Sequence, residues 1–279
     1  MNAPTDFDIG PLTWVKSEID LALERGDAAL QQFTASAVDG NGGDLTQIRF
    51  CRTHLHQVQG ALTIIGLDGV TQFAEALESL LEAIELQERP AAPTAVKLVQ
   101  GALAALRHYL DDLISGQPNQ PLRLLPLYRE VQSARGFERV FPTDLFFPDL
   151  SVPPPLTGPA PKLRRSEFEH RLHQQRAHFQ HGLLSWLRAP QDVQGIDEML
   201  HAVKRIAALQ KTASARSFWW VATAFLSALG EHTLPADADA RQLCSRIDLQ
   251  TRRLLEGSSN VAERLMRDAL YLVGKANSD

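Results

Sequence analysis

Cysteine is scarce in this sequence, and long apolar runs are missing from it. Cys51 and Cys244 are the two cysteines among 279 residues, so a disulfide scaffold is excluded and a reducing compartment is favoured. No stretch approaches the ~18 uncharged apolar residues that a membrane span needs. The N-terminal segment MNAPTDFDIG has neither the basic nor the apolar region of a secretory signal. These absences predict a cytoplasmic protein without a membrane span.

The sequence also lacks an excess of basic charge and the common nucleotide and nucleophile motifs. Lys and Arg number 28 against 33 Asp and Glu, which gives a formal net charge of −5, whereas a nucleic-acid binder needs a dominant basic surface. There is no G-x-x-x-x-G-K-[ST] loop, no G-x-G-x-x-G after a strand and no G-x-S-x-G elbow. We therefore expect no nucleic-acid partner and no cofactor.

Helical periodicity is present almost throughout, and no run alternates with the period of a strand. One stripe consists of Ile48, Cys51, Leu55, Val58 and Leu62, and such stripes mark amphipathic helices that bury one face. Breaks at 40–43, 66–69 and 90–93 separate four such segments, which predicts an up-down-up-down bundle. A fifth helix is expected at 121–135. Four glutamates of the third segment are expected to face away from the bundle: Glu75, Glu78, Glu82 and Glu85.

The composition changes after the fifth predicted helix. Residues 136–163 contain seven prolines, namely Pro142, Pro148, Pro153, Pro154, Pro155, Pro159 and Pro161. Proline cannot continue a helix, so this stretch is predicted to be a linker. Phe141, Phe146 and Phe147 within it indicate that part of the linker packs against a bundle. The expected domains are a first bundle at 1–135, the linker at 136–163 and a second bundle at 164–279.

The second bundle repeats the apolar pattern of the first. A shift of 145 positions carries Leu55 to Leu200 and Phe73 to Phe218, and it also carries His56 to His201. The segment 258–276 mirrors the helix at 121–135. The sequence thus predicts an all-α fold of two tandem four-helix bundles, each with an extra C-terminal helix.

His56 lies on the second predicted helix of the first bundle and is expected to face solvent. At 100° per residue its side chain points about 130° away from the apolar stripe. Gly60 lies on the same outer face, with Arg49 and Thr53 one or two turns earlier. A largely neutral imidazole can act as a nucleophile, and glycine beside it lets a partner's backbone approach closely. The arrangement indicates a docking site.

The run His56-Gln57-Val58-Gln59-Gly60-Ala61-Leu62 resembles the H-x-x-K-G motif of the histidine phosphotransfer (HPt) family. In that family a four-helix bundle exposes one histidine, which exchanges a phosphoryl group with a kinase or a receiver aspartate. More narrowly, 12–19 and 54–69 resemble the N-terminal region of the ChpA/PilL-type hybrid histidine kinases of type IV pilus control, to which FimL scaffold proteins are similar. The resemblance implies receiver domains, the kinase core of the same system or pilus-pole scaffold proteins as partners.

Two departures from the motif bear on the expected chemistry. Gln59 stands where the family has lysine, so about 1 kcal/mol of phosphoryl stabilisation is missing, and Arg49 or Arg52 could supply part of it. In the second bundle His201 and Lys204 are kept, but Arg205 replaces the glycine and would obstruct close docking. The ATP-binding segments of a histidine kinase are missing, so the chain is not expected to phosphorylate itself. If it belongs to such a kinase, it is an N-terminal piece of a longer protein.

Two further groups of residues are candidate sites. His170, His173, His178 and His181 share one face of a predicted helix, but without cysteine or carboxylate ligands in register they indicate a solvated face, and no metal site is predicted. Trp219 and Trp220 are adjacent and cannot share a face, so at least one is expected off the core. It would pack against the linker or the first bundle, or anchor a partner.

Two hypotheses of function follow. The first is a signal-transduction module of a chemosensory phosphorelay, with phosphoryl transfer through His56. The second is a helical interaction scaffold without phosphoryl chemistry, which Gln59 favours. A repeat solenoid is disfavoured, because no period of 30–50 residues is visible.

Overall fold

The structure of the protein, a computed structural model, describes residues 8–38, 43–151 and 162–276, and all regular secondary structure within these ranges is helical. This confirms the predicted all-α fold. The chain divides into two compact units, Met1–Phe147 and Pro148–Asp279, and each has its own hydrophobic core. None of the helices in the described ranges is long and apolar enough to cross a bilayer.

The first unit is a four-helix bundle with one extra helix. Its helices are α1 (Gly10–Val38), α2 (Leu45–Ile65), α3 (Asp68–Glu85), α4 (Pro93–Ile114) and α5 (Leu125–Arg135). Because short connections join them, α2 packs antiparallel to α3, α1 contacts both α2 and α4, and α5 packs on α3 and α4. A 3-10 turn at Pro121–Leu124 leads into α5, so the fifth helix begins close to where it was predicted.

Local signals in the sequence fix both ends of α2, the helix that carries His56. Asp44 caps the N-terminus by accepting a hydrogen bond from the Thr46 amide at 2.9 Å. Gly66 ends the helix with φ 81° and donates its amide to the Leu62 carbonyl, a left-handed conformation that glycine adopts without strain. The apolar stripe of α2 predicted from the sequence is buried, so the opposite face is left for solvent.

The second unit repeats this arrangement. Its helices are α6 (Arg165–Arg188), α7 (Gln194–Leu209), α8 (Ala213–Gly230), α9 (Ala238–Leu255) and α10 (Glu263–Gly274). Helix α10 packs on α8 and α9 as α5 packs on α3 and α4. Helices α3 and α8 have 18 residues each, and their first residues differ by 213 − 68 = 145 positions. The second unit thus has the same order of helices as the first, and the same packing of its last helix.

The first part of the proline-rich stretch that was expected to be a linker packs against the first unit, and a later part lies outside the described residues. Residues up to Phe147 belong to the first compact unit, and Leu145 is fully buried in its core. The Leu145 carbonyl oxygen lies 3.0 Å from the position that a Cβ would take on Gly69 of α3. Pro153, Pro154, Pro155, Pro159 and Pro161 lie outside the described residues.

Helices α6 and α7 approach each other most closely at two glycines. A Cβ on Gly182 would stand 2.5 Å from the Gly195 carbonyl oxygen, and a Cβ on Gly195 would stand 2.6 Å from that of Gly182. Neither backbone segment can move away without displacing its whole helix. The contact therefore requires glycine on both sides.

We expect Gly182→Ala to lower the free energy of unfolding of the second unit by about 1–3 kcal/mol, because the added methyl group overpacks the interface between two helices. Urea unfolding followed by the fluorescence of the buried Trp186 and Trp219 measures this change. Gly230→Ala is the matched control, since its Cβ would meet Ile196 at an ordinary 3.5 Å. Equal stability of the two variants would contradict the close-packing argument.

Candidate functional site

His56 stands on the outer face of α2, as its helical angle predicts. Its side chain is 69% exposed. The ring nitrogen Nδ1 lies 3.0 Å from Oε1 and 3.3 Å from Oε2 of Glu78 on α3. A carboxylate can only accept a hydrogen bond, so Nδ1–H is the donor of this pair. The lone pair of the neutral ring is then on Nε2.

This hydrogen bond gives the imidazole a defined chemical form. A carboxylate bonded to one ring nitrogen fixes the tautomer and the ring plane. The Glu78 side chain is 19% exposed, so it is largely enclosed by neighbouring residues. The result is an exposed nucleophilic nitrogen held in one orientation.

The surface next to His56 is open at Gly60. A Cβ built on Gly60 meets no atom within 4 Å, and the residue is exposed on the helix surface. Ile64, one turn after Gly60 on α2, is also exposed. An exposed apolar side chain beside a bare stretch of backbone is a feature of a surface where another protein docks.

The four glutamates of α3 do not all face away from the bundle. Three of them reach side chains of α2, and the expectation was wrong for the two whose side chains are largely buried, Glu78 and Glu85. Glu78 contacts His56. Glu85 is 9% exposed and contacts both arginines of α2: its Oε1 accepts from Arg49 Nε at 2.6 Å, and its Oε2 lies 2.9 Å from Arg52 Nε. The antiparallel packing of α2 and α3 turns these positions toward the neighbouring helix.

These ion pairs also occupy the cations that were expected to assist the site. The hydrogen bond from Arg49, opposed by burial and helped by the nearby Arg52 charge, lowers the pKa of Glu85. Arg52 also reaches Glu82 at 3.5 Å. The Thr53 hydroxyl donates to the Arg49 carbonyl within α2. Of the expected docking residues, Arg49 and Arg52 are therefore engaged with α3 in this structure.

His201 of the second unit keeps an exposed ring but has a different partner. Its Nδ1 lies 2.8 Å from the Asp197 carbonyl oxygen of its own helix. The position equivalent to Glu78 is Thr223, whose hydroxyl donates to the Trp219 carbonyl within α8. Lys204 and Arg205 are exposed on α7. The second site thus lacks both the carboxylate and the open glycine of the first.

The four histidines of α6 and the Trp219–Trp220 pair are the remaining candidates from the sequence. His170, His173, His178 and His181 are all exposed on α6, and His181 Nδ1 bonds Glu198 at 2.6 Å. In the ranges that the structure covers, no three His, Cys, Asp or Glu residues are grouped so as to hold a metal. Trp219 is buried and Trp220 is exposed, so one member of the pair does lie off the core.

The role of Glu78 as the partner of His56 was not predicted, although the sequence contains a signal for it. Residue 56 stands 11 positions before residue 67 in the α2–α3 turn, and residue 78 stands 11 positions after it. In an antiparallel helix pair with a short turn, positions equally distant from the turn lie side by side. An acidic residue at that level could have been identified as the histidine's partner.

Comparison with known proteins agrees with this division into two units. Residues 14–115 match the family model of the Hpt domain, and residues 164–279 match that of the FimL scaffold protein second domain. The first match contains His56 and Gly60, and the second contains His201 and Arg205.

A curated relative matches across both units. The scaffold protein FimL of Pseudomonas aeruginosa is 28% identical over 265 residues, which cover 94% of this chain and 46% of the relative. The chain therefore spans less than half the length of that protein. It is similar to an Hpt domain in its first unit and to a FimL scaffold protein over most of its length.

Proposed function

We propose that the first unit accepts a phosphoryl group on His56 Nε2 from the aspartyl phosphate of a receiver domain, within a signalling protein whose second unit acts as a scaffold. The observation that carries this proposal is the exposed imidazole whose Nδ1–H bonds Glu78, next to the uncovered Gly60. The match to the Hpt domain supports it. The narrower relation to ChpA/PilL-type kinases and type IV pilus control is part of the proposal.

The proposed step follows from the ring's tautomer. The Nε2 lone pair forms a bond to phosphorus, the bond between phosphorus and the aspartyl oxygen breaks, and the aspartate leaves as a carboxylate. The ring keeps its proton on Nδ1 and becomes a phosphorylated imidazolium. Glu78 stabilises that positive charge through the hydrogen bond it already accepts. No other proton has to move.

Fewer groups of the site are available to bind the phosphoryl oxygens than to hold the imidazole ring. Gln59 can donate a hydrogen bond but brings no charge, and Arg49 and Arg52 are paired with α3 glutamates. A receiver domain that docks over Gly60 would have to supply the missing cation. The site accordingly favours rapid reversal of transfer over a long-lived phosphohistidine.

The second candidate function is a scaffold without phosphoryl chemistry. Gln59 and the arginine–glutamate pairs favour it. Gln59 carries no charge, and the two arginines expected to assist a phosphoryl group pair with Glu85 instead. The relative's description as a scaffold protein points the same way. Under this hypothesis His56→Ala leaves partner binding intact.

Incubation of the full chain with phosphoramidate or a phosphorylated receiver domain tests the two candidates. We expect acid-labile label on His56 and none in His56→Gln. We expect Glu78→Gln to slow labelling about fivefold, because an exposed charge-assisted hydrogen bond contributes about 1 kcal/mol after solvent screening. Rates are measured by phosphate-affinity electrophoresis.

Glu75→Gln is the matched control, since this exposed α3 glutamate has no contact with His56. Its labelling rate should equal that of the unmodified chain. Absence of label on His56 with both donors would leave the scaffold as the function.

Docking and chemistry are separated by Gly60→Arg, which introduces the residue found at the equivalent position of the second unit. We expect transfer from a receiver domain to fall at least tenfold, since a long side chain over the site blocks close approach. Labelling by phosphoramidate, a small donor, should change less than about twofold. The ratio of the two rates is the measurement. Equal losses with both donors would show that Gly60 is not a docking position.

A further inference from the structure

We propose that a cleft between α6 and α7 in the second unit binds a phosphate or phosphoryl group. The α6–α7 cleft has a volume of about 370 Å³ and is lined by Arg171, Gln174, Gln175, Arg205, Ala208 and Leu209. Its size is in the range of small-ligand sites. This proposal is independent of phosphoryl transfer at His56.

A buried amide in the cleft wall lacks a hydrogen-bond partner. Gln175 is 6% exposed, and its Oε1 is buried with no partner among the described residues. A buried polar atom of this kind is uncommon and costs free energy unless something completes it. Rotation of the amide by half a turn exchanges its oxygen and its NH2 group. Because Oε1 is itself buried, the side chain has to turn toward the cleft before a ligand reaches it. A phosphate monoanion can then satisfy either end of the amide, because it carries both acceptor oxygens and a P–O–H donor.

Two arginines bring positive charge to the cleft from separate helices. Arg205 of α7 has no ion pair within the described ranges. Arg171 of α6 donates from Nη2 to Glu167 at 2.6 Å, an exposed pair that leaves its other N–H groups available. The planar guanidinium fork matches the oxygens of a phosphate group. The exposed Lys204 adds positive potential on the same helix.

The comparison between the two units shows that this charge is specific to the second one. The shift of 145 positions converts Gln59 and Gly60 into Lys204 and Arg205. The second unit therefore carries two cations on α7 at positions that are uncharged in the first unit.

The same chemistry is found in free phosphate and in a phosphorylated protein side chain, so the test uses both. Inorganic phosphate and O-phosphoserine are titrated into the full chain, and the Nε–Hε signals of Arg171 and Arg205 are followed by 1H–15N NMR. We expect saturable shifts of both signals. Saturation by inorganic phosphate alone assigns the site to the free ion. Tighter binding of O-phosphoserine assigns it to a phosphorylated side chain. Either outcome supports the α6–α7 cleft as the binding site.

Matched variants locate the binding. Arg205→Gln and Arg171→Gln should each raise the dissociation constant about tenfold, as the loss of one charge-assisted contact implies. Gln175→Met should also weaken binding while the protein stays folded. Arg188→Gln, which removes an exposed α6 arginine outside the cleft, should have no effect. Shifts that are absent, that rise linearly without saturation, or that weaken equally in Arg188→Gln overturn the proposal.

Discussion

The hydrogen bond between His56 and Glu78 is the interaction on which the proposed chemistry depends. It joins α2 to α3 at 3.0 Å, so its geometry is set by the antiparallel packing of two helices whose apolar faces are buried in one core. Because the core fixes the helices, the carboxylate fixes the tautomer, and the tautomer leaves Nε2 as the nucleophile. The bundle thus determines which nitrogen of the ring can react.

The two units share one architecture and differ at its surface. Helix order and the packing of the last helix agree between them, and α3 and α8 are equally long. The residues on the outer faces do not: Glu78 corresponds to Thr223, and Gly60 corresponds to Arg205. Core positions are constrained by close packing, whereas exposed positions are free to exchange a nucleophilic site for a cationic one.

The sequence predicts features that depend on a single helix and misses those that depend on two. The helical period alone gives the apolar stripe of α2 and the exposure of His56. The end of α2 follows from the left-handed glycine, Gly66. The contact of Glu78 with His56, and that of Gly182 with Gly195, require the register between neighbours, which a helical angle does not give. Leu145 packs into the core although the surrounding prolines indicate a linker, because a non-helical segment can still bury an apolar side chain.

The tautomer of His56 tests the central claim most directly. Long-range 1H–15N NMR of the neutral imidazole reports which ring nitrogen carries the proton. The structure predicts a protonated Nδ1 and an unprotonated Nε2 in the full chain, and a more even mixture in Glu78→Gln. A neutral ring with its proton on Nε2 would contradict the account, because the exposed nitrogen would then have no lone pair for phosphorus.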